Sequence, residues 1–314
     1  MKKLIIFILF TILNAAAYAN DIIRIIVPVG PGATVDELAR IVAPALSKNL
    51  NKTVIVENKP GGSGIVAMEN VANATPDGLT IVMTNNGLTN IAPILNSNLG
   101  YTSSSFTSVG VVGVSPLVLV ISSQNTTKNL KELTEGIKRG EKASWASSSV
   151  GTAPHLLGEL YKDTLSLDMV NVMYKTFTQA MIDVSENRVT MLFDTPNSRV
   201  LGLIDANKMK PIAVTSRQRL VELPNVPTAA EQGFSFLTAS VWFGLAVPST
   251  TPQSITNSLT TAMTAVLRDQ EVKEKLKKAG MEQPSASPSD SQKYIDSERE
   301  RWVTVLKKSK VKLD

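Results

Sequence analysis

The 314-residue sequence contains no cysteine, and it contains a single histidine, His155. The absence of cysteine excludes disulfide bonds, a thiol nucleophile and the attachment of lipid to a cysteine after export. No group of histidine and acidic residues has the spacing of metal ligands. The sequence therefore predicts a protein without a metal site, without a cofactor and without a catalytic centre.

Long apolar segments are also missing, with one exception at the start of the chain. Residues 2–3 are lysines, residues 4–13 are apolar, and Ala17-Tyr18-Ala19 is a small-x-small cleavage pattern. This order is typical of a secretory signal peptide, whereas a membrane-spanning helix needs roughly 20 apolar residues. We expect residues 1–19 to be removed, which leaves a soluble periplasmic protein that begins at Asn20. An uncleaved membrane anchor is the alternative.

The chain has only a mild excess of positive charge, with a formal net charge of +5. Its densest basic run, at residues 307–312, lacks the interleaved aromatic residues that would favour nucleic-acid binding. A solvated C-terminal tail explains this run better. We therefore expect no nucleic acid among the partners.

The most informative segment runs from residue 22 to residue 40. Residues 22–29 are apolar except for Arg24, which is typical of a strand buried on both faces of a parallel sheet. Gly30-Pro31-Gly32 ends this strand, and Thr34 followed by Glu37 is a capping-box pattern at the start of a helix. A helix N-terminus after such a loop presents free backbone N–H groups and the positive end of the helix dipole, so it favours an anion. An ordinary strand-loop-helix connection is the alternative. The loop lacks both the Gly-Lys-Ser/Thr of a Walker loop and the third glycine of a dinucleotide-binding fingerprint.

A second loop, at residues 147–155, repeats this arrangement. A short strand ends in Ser147-Ser148-Ser149, Gly151 turns the chain, and Pro154 lies where a helix begins. Two such loops, far apart in sequence, favour a two-sided anion clamp, and a pair of unrelated capped helices is the alternative. His155 is interpreted as a cleft hydrogen bonder or a helix-start residue rather than as a general base, because no cysteine partner or Ser-His-Asp arrangement accompanies it.

Strand and helix patterns alternate along most of the chain, which favours an α/β fold. We expect a helical region from residue 251 to residue 280 and a last amphipathic helix from Pro288 through Leu306. No internal repeat is visible. Further strands are predicted at residues 54–57, 80–83, 109–114, 117–121, 143–146, 169–174, 191–193, 212–214 and 241–247, and helices at residues 129–138, 154–162 and 177–187.

A series of short motifs, taken in order, resembles the Bug-type solute-binding proteins, the periplasmic receptors of tripartite tricarboxylate transporters. The resemblance covers nearly the whole chain after the signal peptide. The motifs lie at residues 27–36, 39–40, 56–64, 75–80, 147–152, 155–156, 159–160, 174–175, 213–216, 223–228, 231, 233, 242–245 and 248–252.

The resemblance implies a two-domain clamshell of the periplasmic-binding-protein type (type II-like), with a hinge near residues 117–123 and 236–242. One domain would comprise residues 20–120 and 239–314, including the C-terminal helices, and the other residues 121–238. Such a protein would be a monomer that binds a small organic carboxylate, a di- or tricarboxylate or a related acid, and delivers it to membrane transporter subunits. A receptor that signals to a membrane sensor kinase is the alternative, and an exported enzyme on the same fold is a third reading.

The candidate ligand-binding residues lie mostly in the two loops. Asp194 ends a predicted strand, where ligand residues of α/β proteins tend to lie. Ser149, Met173 and Thr176 replace residues that are usually glycine, proline and glycine in the family, which leaves the identity of the ligand open. The full set is Val29, Gly30, Gly32, Thr34 and Asp36 in the first loop, Ser147, Ser148, Ser149, Gly151, Thr152 and His155 in the second, and Thr176 and Asp194 elsewhere.

Overall fold

The computed structural model describes residues 22–147, 151–174, 177–282, 284 and 287–308. Ten strands in this part of the chain form two five-stranded sheets. The strands are β1 (Ile22–Val27), β2 (Thr53–Asn58), β3 (Thr80–Asn85), β4 (Phe106–Pro116), β5 (Val118–Ser122), β6 (Ala143–Ser147), β7 (Met169–Met173), β8 (Met191–Asp194), β9 (Met209–Val214) and β10 (Ser240–Pro248). The α-helices are α1 (Thr34–Leu50), α2 (Ile65–Ala72), α3 (Ala92–Leu95), α4 (Leu130–Lys138), α5 (Ala153–Leu165), α6 (Phe177–Ser185), α7 (Ser198–Asp205), α8 (Gln253–Arg268), α9 (Gln270–Lys278) and α10 (Ser291–Lys308).

The two sheets share one strand topology. The first has the order β2-β1-β3-β10-β4 and the second the order β7-β6-β8-β5-β9. In each sheet three parallel strands come from one β-α-β-α-β unit, and an antiparallel strand (β10 or β5) lies between that trio and the edge strand. We call the part built on the first sheet lobe 1 and the part built on the second lobe 2. The repeat is invisible in the sequence because a shared topology constrains hydrogen bonding and burial, not residue identity.

The chain crosses between the lobes twice, and the two crossings lie side by side. The first crossing is Leu117, between β4 and β5, and the second runs from Thr215, directly after β9, to Ala239, directly before β10. Thr215 N donates to Leu117 O at 2.8 Å, and Ala239 N donates to Thr215 O at 3.0 Å. The predicted α/β clamshell with a hinge between two lobes is therefore confirmed in its architecture. The domain boundaries at residues 120–121 and 238–239 stay predictions.

The first strand is shorter than predicted and is not buried along its whole length. It ends at Val27 rather than at residue 29, and Ile23, Ile25 and Ile26 are buried. The Arg24 side chain, in contrast, is 52% exposed and lies 3.5 Å from the Glu57 carboxylate. The expected burial on both faces therefore fails at this charged residue.

The core contains several close approaches that fix residue size. Trp145 on β6 and Trp242 on β10 are fully buried, so both are core residues. Gly158 on α5 packs against the Trp145 ring so closely that a β-carbon placed on it would lie 2.1 Å from Trp145 Nε1. Glycine is therefore required where this helix crosses the sheet.

The C-terminal helices pack onto lobe 1. The helical region expected at residues 251–280 is interrupted at Asp269, whose extended backbone ends α8 and whose side chain accepts N–H bonds from Glu271 and Val272 at the start of α9. The last helix, α10, follows a 3₁₀ turn at Pro288–Asp290. Among the helices of the described residues, none has the length and apolar character needed to cross a membrane.

Candidate functional site

The two glycine loops occupy equivalent places in the two lobes. The first connects the carboxyl end of β1 to α1, and the second connects the carboxyl end of β6 to α5. Gly32 (φ +84°) and Gly151 (φ +80°) lie at matching positions, two residues before their helices begin. This left-handed conformation is strained for residues with a side chain, so both turns favour glycine.

Each of these glycines donates its N–H to the side chain four residues later. Gly32 N donates to Asp36 Oδ2 at 2.9 Å, and Gly151 N donates to His155 Nδ1 at 3.4 Å. Asp36 and His155 are each the third residue of their helix. Both side chains therefore hold the shape of a loop.

The carboxylate of Asp36 is fully engaged within lobe 1. It accepts hydrogen bonds from Arg40 Nε, at 3.1 Å to Oδ1 and 3.0 Å to Oδ2, and from Asn58 Nδ2 at 2.9 Å. Burial alone raises the pKa of Asp36, but the hydrogen bonds from Arg40, Gly32 and Asn58 outweigh this effect and hold the pKa below its usual value. Asn58 Nδ2 also donates to Val29 O at 2.9 Å, which ties down the start of the loop. Asp36 thus supports the loop, and its contact with a ligand stays a prediction.

The predicted capping box at Thr34 and Glu37 is wrong. The N-cap residue is Ala33, which has no capping side chain, and Thr34 is already the first residue of α1. A capping box needs the hydroxyl residue at the N-cap position, one residue earlier. The carboxylate of Asp36 takes over the stabilisation of this helix start.

His155 is a buried neutral imidazole. Its side chain is 7% exposed, and Nε2 lies 3.8 Å from Glu159 Oε1. Burial, together with the charge of Lys162, lowers the pKa of His155 to about 4. Since Nδ1 accepts the Gly151 N–H, the proton of the neutral ring belongs on Nε2. This geometry matches the helix-start interpretation, and contact of His155 with a ligand stays a prediction.

The second loop has only part of the predicted hydroxyl cluster within the described residues. Ser147 is fully buried, and its hydroxyl donates to Asn171 Oδ1 at 3.1 Å, so its predicted contact with a ligand stays a prediction. Ser148 and Ser149, like Thr176, lie outside the described residues. Thr152, at the N-cap of α5, and Thr34 both remain partly exposed.

The two helix starts differ in charge. The N-terminus of α1 carries the Asp36 carboxylate, whereas that of α5 carries the uncharged His155. The positive end of the α5 dipole is therefore not offset by a carboxylate at this position, and lobe 2 presents the more favourable helix terminus for an incoming anion.

Asp194 ends β8 at the point where the strand leaves the sheet. Its Oδ1 accepts the Thr195 N–H at 2.7 Å. The residue keeps some surface, but its carboxyl group is enclosed by protein atoms, and this burial raises the pKa of Asp194 to about 7. Hydrogen bonds from Thr195 and Asn197 and the charge of Arg199 offset the burial only in part.

Segments of the two lobes meet at several places around the cleft. A β-carbon placed on Gly151 would lie 3.4 Å from Leu95 Cδ1, and one placed on Gly280 would lie 2.6 Å from Pro196 O. Arg199 Nη2 of lobe 2 donates to Gly32 O of lobe 1 at 2.8 Å. The cleft is therefore closed around the two glycine loops.

Two residues at this cleft were missed by the sequence reasoning. Asn86, directly after β3, is 1% exposed, and its Nδ2 has no hydrogen-bond partner within the described residues. A β-carbon on its neighbour Gly87 would lie 3.7 Å from Gly151 O, which places this segment against the second loop. The polar Asn85-Asn86-Gly87 turn after a buried strand is the signal that could have found Asn86. For Arg199, an ordinary helix-start arginine, the sequence holds no such signal.

Other surface features do not compete with this site. A cavity of about 660 Å³ on lobe 1 is lined by Arg24, Lys59 and Glu69 among others. Both cations lie beside one carboxylate, since Arg24 Nη1 and Lys59 Nζ are 3.5 and 3.4 Å from the oxygens of Glu57. Within the described ranges, no group of three or more histidine, cysteine or acidic residues could hold a metal ion.

Comparison with known proteins identifies the family. The family described as "Tripartite tricarboxylate transporter family receptor" matches residues 38–311. The chain belongs to this family of solute-binding receptors.

Solved structures of similar proteins support the same architecture. The periplasmic binding protein BugD is 30% identical, with a TM-score of 0.83 over 93% of this chain and 98% of that one. MatC from Rhodopseudomonas palustris, solved with bound malate, is 25% identical, with a TM-score of 0.82 over 90% of this chain and 98% of that one. Another R. palustris protein, solved with adipate, is 29% identical, with a TM-score of 0.84 over 91% of this chain and 96% of that one.

Proposed function

We propose that this chain is an exported receptor that binds a small organic carboxylate between its lobes and delivers it to the membrane subunits of a tripartite tricarboxylate-type transporter. The observation that carries the proposal is the pair of equivalent glycine loops, one on each lobe, at the closed cleft. Each is braced by its own helix, through Asp36 in lobe 1 and His155 in lobe 2. With Gly32 N and Gly151 N occupied in this way, the neighbouring backbone N–H groups of each loop are held at a helix N-terminus, where they suit a carboxylate ligand.

The ligand class follows from charge and from the related receptors. The α5 N-terminus offers the anion site in lobe 2, and the buried amide of Asn86 offers a donor from lobe 1 beside it. Two of the similar proteins were solved with malate and with adipate, and both of these ligands are dicarboxylates. We therefore propose a compact dicarboxylate, or an amino or hydroxy acid of that size, bound by Val29, Gly30, Thr34, Asn86, Gly151 and Thr152. Ser148, Ser149 and Thr176 remain predicted contacts outside the described residues.

A ligand screen tests this function directly. Thermal-shift measurements against mono-, di- and tricarboxylates, amino acids and nicotinate are expected to give their largest shift with a dicarboxylate, and titration calorimetry should then give about micromolar affinity, on the order of −8 kcal/mol. The matched variants are Asn86→Asp, which places a carboxylate beside the ligand and should weaken binding strongly, and Asn98→Asp, an exposed change on the same lobe that should not. A best ligand without a negative charge would contradict the proposal.

Export and the absence of catalysis are separate parts of the proposal. The periplasmic fraction should contain protein whose N-terminus is close to Asn20 by mass spectrometry, and a membrane-bound form that retains Met1 would contradict export. Incubation with the best ligand should return it chemically unchanged. Turnover that disappears in His155→Asn would instead favour an enzyme.

A further inference from the structure

One hydrogen bond links the lobes directly across the cleft. Arg199 Nη2, at the start of α7 in lobe 2, donates to the carbonyl oxygen of Gly32 in the first loop of lobe 1, at 2.8 Å and 167 residues away in sequence. The lobes are covalently joined only through the crossings at Leu117 and at residues 215–239. Rotation of the lobes about those crossings therefore changes the distance between Arg199 and Gly32.

The loop at one end of this bond and the backbone of the arginine at the other end are each held within their own lobes. On lobe 1, Gly32 N is bonded to Asp36, and Asp36 is bonded to Arg40 and Asn58. On lobe 2, the backbone N–H of Arg199 is capped by Asn197 Oδ1 at 3.1 Å. Opening of the cleft beyond the reach of the Arg199 side chain must therefore break the bond.

We propose that Arg199 is a positioning residue that latches the closed cleft by holding the first glycine loop of lobe 1 against lobe 2. In the closed state its guanidinium group fixes the Gly32 carbonyl, and in the open state the bond is absent. The ligand can leave only after this bond breaks, so Arg199 sets the lifetime of the complex rather than the rate at which it forms. This inference does not depend on which ligand class the cleft accepts.

The charge of Arg199 gives the latch a second effect. No ion pair within 4 Å includes Arg199 in the described part of the chain, and Asp36, the carboxylate nearest along the first loop, is already bonded to Arg40. The Asp194 carboxyl group, whose burial favours its protonated form, is the acid that the charge of Arg199 reaches, so an anion enclosed in the closed cleft would find a positive charge that is offset only in part. The latch and the ligand therefore favour the same state, which is the requirement for ligand-dependent closure.

The absence of cysteine from the chain makes this proposal directly measurable. Cysteines introduced at Thr53 and Val170, exposed positions on the edge strands of lobes 1 and 2, can carry nitroxide labels without background labelling. Pulsed electron paramagnetic resonance then gives the distances of the open and closed populations. The measurement is made without ligand and with L-malate or adipate, in wild type, Arg199→Ala and Arg199→Gln. The control is Arg139→Ala, which removes an exposed arginine of lobe 2 that pairs with Glu141.

The expected result is a fall of about tenfold in the closed-to-open ratio for Arg199→Ala, because a hydrogen bond from a charged donor is lost. The closed-to-open ratio should fall less in Arg199→Gln, which keeps an N–H donor, and it should match that of wild type in Arg139→Ala. For a bound probe, the dissociation rate should rise by a similar factor while the association rate changes little. An unchanged closed population in Arg199→Ala, an equal fall in Arg139→Ala, or a wild type that never shows a closed distance would each overturn the latch. Because the ligand-free distances report the latch by themselves, a protein that binds no carboxylate would contradict the proposed function without deciding this one.

Discussion

Thr215 and Leu117 join the two lobe crossings through a pair of hydrogen bonds. Thr215 N donates to Leu117 O at 2.8 Å, and Leu117 N donates to Thr215 Oγ1, also at 2.8 Å. The same hydroxyl donates to Ala239 O at 2.7 Å, so a single threonine side chain serves both crossings. Thr215 is 1% exposed, and water cannot replace these bonds.

Replacement of this hydroxyl should weaken the hinge. Thr215→Val keeps the shape of the side chain but leaves the Leu117 N–H and the Ala239 carbonyl unpaired in a buried place, at a cost of about 1–3 kcal/mol in the free energy of unfolding. Urea unfolding followed by circular dichroism measures this loss. Thr215→Ser, which restores the hydroxyl, is the matched control, and a valine variant as stable as wild type would show that the hinge bonds contribute nothing.

The contact of Gly158 with Trp145 makes a second stability prediction. A β-carbon on Gly158 would lie 2.1 Å from Trp145 Nε1, so Gly158→Ala must displace the ring or the helix and should destabilise the protein by about 1–3 kcal/mol. Gly202 on α7 is the control, because a β-carbon there meets nothing within 4 Å. Gly202→Ala should be neutral or stabilising by up to about 1 kcal/mol, since alanine is the better helix former. Equal effects in the two variants would contradict the packing argument.

The sequence predicted the elements better than the contacts between them. All nine strands predicted after the first are present, because each is a short apolar run bounded by turn residues. The equivalence of the two glycine loops was also visible, since Gly32 and Gly151 precede their helices in the same way. The hydrogen bonds from these glycines to Asp36 and His155 could not be predicted from the sequence. Neither a positive φ nor a side-chain acceptor four residues later produces a periodic pattern of residues. Arg199 and Gly32 are brought together only by the relative placement of the lobes, which no local pattern encodes.

Asp194 should make the stability of the folded protein depend on pH. Burial raises the pKa of Asp194 from 3.8 to about 7, so the folded state holds its proton more tightly than the unfolded state. The resulting stabilisation is complete below pH 3.8 and is lost as the pH rises through 7, with an upper limit of about 4 kcal/mol. Asp194→Asn, which keeps an acceptor for the Thr195 N–H, should be more stable than wild type at pH 8 and should lose this dependence. A wild type and variant with parallel profiles between pH 5 and pH 8 would contradict the raised pKa.

His155 should change the pH dependence of stability in the opposite direction, by stabilising the folded protein at higher pH. Burial lowers the pKa of its imidazole from 6.5 to about 4, so the folded state disfavours the protonated ring. Its stabilising effect is complete above pH 6.5 and is lost as the pH falls towards 4, by up to about 3 kcal/mol. His155→Asn offers an amide oxygen to the Gly151 N–H and does not titrate, so its unfolding free energy should fall less than that of wild type between pH 6.5 and pH 4.5. Nuclear magnetic resonance of the single histidine gives its pKa independently, and a value near 6.5 would contradict this prediction.

Gly32 and Gly30 form a matched pair for testing the first loop. Gly32 has φ +84°, and a β-carbon on it would point at Arg199 Nη2, 3.8 Å away, whereas Gly30 has no positive φ and open space around it. A carboxylate introduced by Gly32→Asp would therefore face Arg199, so charge repulsion of the ligand is not the main reason to expect an effect of a side chain at this position. The main reason is conformational, since a side chain in the left-handed region costs about 1–2 kcal/mol and shifts the N–H bonded to Asp36.

Gly32→Ala should thus weaken binding of the best carboxylate by about tenfold in titration calorimetry, while Gly30→Ala should bind like wild type. If both variants bind equally well, the shape of this loop is not what holds the ligand, and the site must rest on lobe 2 and on Asn86.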